Sequence, residues 1–378
     1  MQIDYNKRIF GLDIMRAIAI LCVVFSHALW IIPEMKGHLS DLLSLLGVMG
    51  VEIFFVLSGF LIGRIIYKQY VSNNFSRKSM LYFWIRRWFR TLPNYYLILI
   101  VNIAIVLYIG RSLPDSLWKY FFFIQNFSSE MDTFFTESWS LPIEEFAYII
   151  GPLMLYLVLF LKLKIKKSTL FGLCTLVIIL FFTITKMFYN NVNTESTMLL
   201  WNTNLKAVTL YRIDAIYYGV LAAYFSMLKP EIWYRFRLLF FMIGLGVFGF
   251  INVLIPLKQI YIETNPFFWN VLYLPINSVA IVFLLPVLSA IKKAPKIILK
   301  PITYISLVSY SMYLLHYSVV LQLLKHFLPT DDLSRIDKGV YILVYLSITC
   351  ILSYVLYVIF EKPMMNLRDK PSLKKYFQ

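Results

Sequence analysis

Residues 64–90, RIIYKQYVSNNFSRKSMLYFWIRRWFR, hold seven Lys or Arg and no acid, and residues 91–108, TLPNYYLILIVNIAIVLY, hold no charge at all. A basic run abutting an uncharged one of nearly 20 residues is the pattern of a membrane helix anchored on the side that retains positive charge. Working outward, further apolar stretches of similar length lie at Leu12–Ile32, Leu43–Ile66, Leu141–Leu161, Thr169–Phe188, Val208–Leu228, Phe240–Pro256, Trp269–Ile291, Ile302–Leu324 and Val340–Phe360. The gaps between them alternate in charge. Lys7 and Arg8 fall on the same side as residues 64–90, as do Lys162, Lys164, Lys166 and Lys167, then Lys292, Lys293, Lys296 and Lys300, then Lys362, Arg368, Lys370, Lys374 and Lys375. That side collects 25 of the 36 Lys and Arg against 4 acids, while 11 of the 20 acids lie on the other. The expectation is an all-α integral membrane protein of about ten transmembrane helices with both termini cytoplasmic.

With 378 residues, 60% of them hydrophobic and 18% aromatic, nothing is left over for a soluble domain, so residues 1–378 read as a single transmembrane domain. The longest gaps, around 70–90, 110–140 and 189–207, read as loops or interfacial segments. The net charge of +16 sits beside membrane exits, where insertion and anionic membrane lipids account for it, and no nucleic-acid partner is implied. Cys22, Cys174 and Cys350 all lie in apolar stretches, so no disulfide framework is expected. The first stretch lacks a small-residue cleavage site and carries Arg16 and His27, which makes it a retained helix rather than a signal peptide. There is no Gly-rich phosphate loop, no Gly-x-Ser-x-Gly elbow and no Cys/His cluster spaced for a metal, which argues against hydrolase and metalloenzyme chemistry.

Charges at membrane depth cost several kcal/mol unless paired or wet, so they mark function by default. Asp13, Arg16, His27, Glu52, Glu144, Glu145, Arg212, Asp214 and His316 are such residues. Asp13 and Arg16, three apart, also read simply as an intrahelical pair. Arg16 and His27 are eleven residues apart, which leaves them within about 20° of one helix face and about 16 Å apart along the axis. An imidazole there has a pKa suited to a general base at neutral pH. Glu137-Ser138-Trp139-Ser140-Leu141-Pro142-Ile143-Glu144-Glu145 opens the fourth helix, with Ser140 as its expected N-cap. Successive carboxylates point to different faces, so at least one of Glu144 and Glu145 should face the bundle interior. Ser58-Gly59 suits close helix packing. Arg212 and Asp214, two apart, do not share a face, and each needs a partner on another helix. Arg87 and Arg90 share a face if their segment is helical; they serve either as a topology anchor or as a bidentate phosphate grip. His316 suits packing and function equally. His38 and His326 sit in or beside the outer gaps.

Taken together and in order, five of these elements resemble the acyltransferase 3 family of integral membrane acyltransferases, which includes O-acetylases of bacterial surface polysaccharides. They are Arg16 separated by ten residues from His27, the run Phe54 to Phe60, the pair Arg87 and Arg90, the segment Trp139, Ser140, Leu141 and Glu144, and the late segment Ser309, Tyr310, Tyr313, Leu314 and His316. Tyr317 departs from the residues many relatives place after the late His. The resemblance implies an O-acyltransferase in the bacterial inner membrane that moves an acyl group, most simply acetyl, from cytoplasmic acyl-CoA to a hydroxyl of an extracytoplasmic or lipid-linked glycan. It implies donor binding by Arg16, Arg87 and Arg90, and chemistry at His27 as general base or transient acyl carrier with Glu144 orienting its ring. Glu52, Ser140, Arg212, Asp214 and His316 would place or support the acceptor. Acetyl-CoA is a co-substrate in this reading, and no cofactor or metal is permanently bound. Lacking a fused extracytoplasmic hydrolase-like domain, the chain would leave any second acyl-handling step to the membrane domain or to a separate protein. Intramembrane His, Glu and Arg also suit a secondary transporter, and a polysaccharide export or flippase component is a third reading.

Overall fold

The computed structural model describes residue 5 and residues 8–72, 75–193 and 196–370. Lys7, Glu195, Lys374 and Lys375, which entered the charge count above, lie outside these residues. Among the described residues there is no strand. Each apolar stretch forms a helix: α1 Phe10–His27, α2 His38–Val71, α3 Arg77–Tyr108, α4 Ser140–Phe160, α5 Lys167–Val192, α6 Asp214–Leu228, α7 Arg237–Leu257, α8 Leu274–Ala290, α9 Lys296–Leu315 and α10 Arg335–Leu356. Eight of the ten are long and apolar enough to cross a membrane once their flanking turns are included. The exceptions among the described residues are α6 and α7. The 15 residues of α6 reach about 22 Å at 1.5 Å per residue, short of a hydrocarbon core of about 30 Å.

Two expectations about the connections change. The basic segment 77–90 is helix rather than loop, because Ser76 and Ser79 form a reciprocal capping box that starts α3 well before its apolar part. Pro93 then sits inside the helix, which membrane helices tolerate. Ser140 does not cap α4. A 3-10 turn, Thr136–Trp139, precedes that helix and frees the Ser140 hydroxyl for another partner.

Side chains that face outward, such as Leu180, Phe181, Ile184 and Phe188 on α5, are large and apolar, as a lipid-facing surface requires. Inside, the helices approach through small residues. A Cβ on Gly59 of α2 would overlap the carbonyl oxygen of Ile216 on α6, and one on Gly219 would overlap that of Val56. The Ser58-Gly59 pair therefore does what its composition suggests and lets two backbones touch. Gly11 of α1 meets the Leu288 carbonyl of α8 in the same way. Gly59→Ala should force α2 and α6 apart and cost about 1–3 kcal/mol, the usual range for overpacking. Gly249→Ala in α7, where a Cβ meets nothing within 4 Å, should cost nothing or stabilise by up to about 1 kcal/mol. Thermal melting of the two purified variants in one detergent distinguishes them.

Candidate active site

Helices α1, α2, α3, α4 and α9 surround a slender cavity of about 80 Å³, lined by Arg16, Arg87 and Arg90 together with Ser58, Glu144, Ser140 and Tyr313. Arg87 and Arg90 lie one turn apart on α3, so the helical condition for a shared face is met. Arg87 Nη2 donates to the Tyr148 hydroxyl (2.5 Å), its guanidinium lies 4.3 Å from the centre of that ring, and its buried Nε has no partner among the described residues. Arg16 Nη1 donates to Ser306 Oγ (3.0 Å) and stands 3.4 Å from Asp13 Oδ1. Asp13 is matched chiefly elsewhere, by Arg8 and by the Ser306 hydroxyl (2.7 Å). Three guanidiniums thus share one cavity in which Glu144 is the sole acidic lining residue. Such an arrangement favours an anion with several oxygens.

Glu144 Oε2 accepts from Tyr148 OH (2.7 Å) and Oε1 from Ser58 Oγ (3.1 Å). Its carboxylate therefore anchors the tyrosine that holds Arg87. No hydrogen bond joins it to His27, and the expected orienting contact is absent among the described residues. The ring of His27 is set by other groups. His27 Nδ1 lies 2.9 Å from the Val23 carbonyl oxygen and 3.1 Å from His316 Nε2, while His316 Nδ1 lies 2.8 Å from the Tyr313 carbonyl oxygen. Carbonyls only accept, so both Nδ1 atoms carry the proton, and the single His27 Nδ1–H is shared between the Val23 carbonyl and His316 Nε2. The bonding pattern leaves His27 Nε2 as a bare lone pair, with no hydrogen-bond partner among the described residues. His316 opens a π-helical turn, His316–Leu321, and is fully buried, with the two rings 4.8 Å apart. Widened turns of this kind recur at functional sites.

Tyr313 joins the cavity to this pair. Its hydroxyl donates to the Glu137 carbonyl (2.8 Å), so Ser140 Oγ, 2.7 Å away, must be the donor in their contact. Glu145 leaves the cavity and accepts from Thr91 Oγ1 (2.8 Å), which fits the expectation that the two carboxylates part.

Glu52, Arg212 and Asp214 are brought together with partners on other helices and not with His27. Arg212 pairs with Glu52 of α2, which also accepts from Ser278 Oγ (3.0 Å), and Asp214 pairs with Lys186 of α5. All four charged side chains are buried. Lys186 went unread although it lies within an apolar stretch, where the rule for intramembrane charge applies to it. Glu361, one residue beyond the last stretch, accepts from Asn94 Nδ2 (2.9 Å) and Ser311 Oγ (2.5 Å) and is also buried. Lys206 has no sequence signal; its ammonium lies 4.9 Å from the Trp139 ring, and desolvation pushes it down to about 8. His38 begins α2 and His326 lies in the last turn of the short helix Gln322–Phe327 after α9, both exposed.

The family model described as an acyltransferase domain matches residues 9–358. The chain belongs to the acyltransferase 3 family. It is 26% identical over 336 residues to the peptidoglycan O-acetyltransferase OatA of Listeria monocytogenes, covering 83% of this chain and 50% of that protein. It is 34% identical over 167 residues to the putative peptidoglycan O-acetyltransferase YrhL of Bacillus subtilis, covering 40% of this chain and 24% of that one. A putative O-acetyltransferase of Staphylococcus aureus is 26% identical over 333 residues, 82% of this chain and 50% of its own length. The chain thus spans about half the length of the relatives it matches most fully. No solved structure matches the chain.

The buried ion pairs yield a stability test. Lys186→Met strands the Asp214 carboxylate and should cost about 3–5 kcal/mol, whereas Lys186→Met combined with Asp214→Asn should recover most of the loss. Melting temperatures of the single and double variants in detergent decide it.

Proposed function

We propose that the protein transfers an acetyl group from acetyl-CoA, taken from the cytoplasmic side of the inner membrane of a bacterium, to a hydroxyl of a glycan or lipid-linked saccharide on the outer side. The observation that carries this reading is a cavity lined by three guanidiniums and by Tyr313, whose ring lies 5.8 Å from that of His316, the hydrogen-bond partner of His27. In this reading Arg90 and Arg87 hold the phosphates of the donor, with Arg87 steadied by Tyr148 and Glu144. The thioester arm lies along the cavity past Arg16. His27 Nε2 takes the proton of the acceptor hydroxyl as its oxygen bonds to the acyl carbon; the carbon–sulfur bond breaks, and the proton passes to the departing thiolate. His316 accepts the Nδ1 proton in hydrogen bond and so fixes the tautomer that exposes Nε2. Charge alternation supports the sidedness, and the names of the relatives support an acetyl group and a glycan acceptor.

Acetyl transfer from labelled acetyl-CoA to glycan, in vesicles containing only this protein, tests the reading. His27→Ala should lower transfer by at least about 10², the lower range for a positioned acid–base group, and still insert. Near-normal turnover in that variant would remove His27 from the chemistry. Arg87→Ala with Arg90→Ala should weaken acetyl-CoA binding at least about tenfold, since two charge-assisted contacts are lost. Lys at both positions should restore only part of the affinity, because an ammonium lacks the planar fork. Sidedness is checked by Cys labelling in intact cells: a Cys at position 132 should react with an impermeant maleimide and one at position 164 should not.

A further inference from the structure

One buried carboxylate outside the cavity is tied to the histidine pair from both sides. Glu137 lies in the turn Thr136–Trp139 that opens α4. Its Oε1 accepts from the Ser318 backbone N–H (3.0 Å) and from the Ser318 hydroxyl (2.6 Å). Its backbone carbonyl accepts from the Tyr313 hydroxyl (2.8 Å), and the Tyr313 carbonyl in turn accepts from His316 Nδ1 (2.8 Å). Ser318 is two residues after His316 and Tyr313 three before it, so Glu137 grips both flanks of that histidine. In a regular α-helix the Ser318 N–H would bond the Leu314 carbonyl. Here, in the π-helical turn, it donates to the Glu137 carboxylate. The second carboxylate oxygen, Oε2, is buried without a partner among the described residues. Leaving a buried polar atom unmade is costly, and mere packing of α4 on α9 would not require a carboxylate there.

We propose that Glu137 is a positioning residue for acyl transfer: it holds the turn His316–Leu321 in the register that sets His316 Nε2 against His27 Nδ1, and thereby keeps the Nε2 lone pair of His27 bare. The inference rests on His27 acting as the base. Glu137 touches neither donor nor acceptor and acts only through His316.

The test uses the full chain with His38→Gln and His326→Gln, so that His27 and His316 alone contribute to the ring-nitrogen spectrum of ¹⁵N-histidine-labelled protein in nanodiscs. The same variants complement a strain lacking the gene, where alkali-released acetate from its glycans is measured at equal membrane protein level. Glu137→Gln keeps an oxygen for both Ser318 donors and should retain a single Nδ1–H tautomer for His27, with acetate within about threefold of the parent. Glu137→Ala should give mixed His27 tautomers and at least about a tenfold loss of acetate, and Ser318→Ala should fall between them. Should Glu137→Ala fail to insert, Ser318→Ala and the Gln variant still decide the matter. Parental tautomer and acetate in both Glu137→Ala and Ser318→Ala would overturn the proposal, as would a Gln variant no better than Ala. Parental acetate in His27→Ala would instead overturn the assignment of the base. That failure is read separately, because the spectrum reports on Glu137 whatever His27 does.

Discussion

A charge held at membrane depth must find its opposite on a neighbouring helix, and most of this structure can be traced to that requirement. Glu52 on α2 meets Arg212 at the entry to α6, Asp214 on α6 meets Lys186 on α5, and Asp13 on α1 meets Arg8, Arg16 and Ser306 of α9. The first pair joins helices far apart in sequence, the second joins consecutive helices, and Asp13 reaches α9 through the Ser306 hydroxyl while its cationic partners lie in or just before α1. Attraction between buried ions roughly offsets their desolvation, so these pairs contribute little net stability, while breaking one is expensive. Their effect is to fix which helices are neighbours and at what height. Close backbone contact at Gly59 and Gly219 then becomes possible, because α2 and α6 are already held in register.

The cavity is where this matching is left incomplete. Three arginines line it against the carboxylate of Glu144, and that carboxylate is already engaged by Tyr148 and Ser58. A surplus of positive charge in a confined space is unfavourable for folding and favourable for binding a polyanion, which is the exchange expected of a donor site. Arg87 shows the exchange most directly, with one nitrogen bound to Tyr148 and another buried and unpartnered among the described residues.

Much of the architecture was legible in the sequence because hydropathy and charge alternation are direct consequences of the bilayer. The apolar stretches became α1 to α10, and Arg212 and Asp214 did find partners on separate helices, as their two-residue spacing requires. What was not legible depends on geometry across helices. Nothing in the spacing of Glu144 and His27 reveals that Tyr148, one turn along α4, turns the carboxylate toward Arg87. Nor does any helical period place His316 against His27, since that contact relies on a π-helical turn whose register is set by side chains. Ser140 looked like a cap by residue type, yet the turn Thr136–Trp139 takes over the start of α4 and leaves its hydroxyl for Tyr313. Lys186 and Glu361 show a different limit. Both obey the rule that picked out the other intramembrane charges, but each stands near the end of a stretch, where a charged residue reads as an interface.

The arrangement of α1 separates two chemical demands by depth. Arg16 and His27 stand on one face of an unbroken helix, about three turns apart, which under the proposed function sets the donor's anionic end near one and the base near the other. Binding of highly charged phosphates and activation of a neutral hydroxyl conflict within one small volume, because the cations that hold the first would oppose protonation of the base needed for the second. Distance along α1 relieves the conflict, and an uncharged thioester arm is a chemically suitable link between the two ends. On this argument the donor's charge never has to cross the apolar interior. In the proposed reaction only its acyl carbon has to reach the histidine pair, so transfer between the two sides of the membrane would need no path for ions.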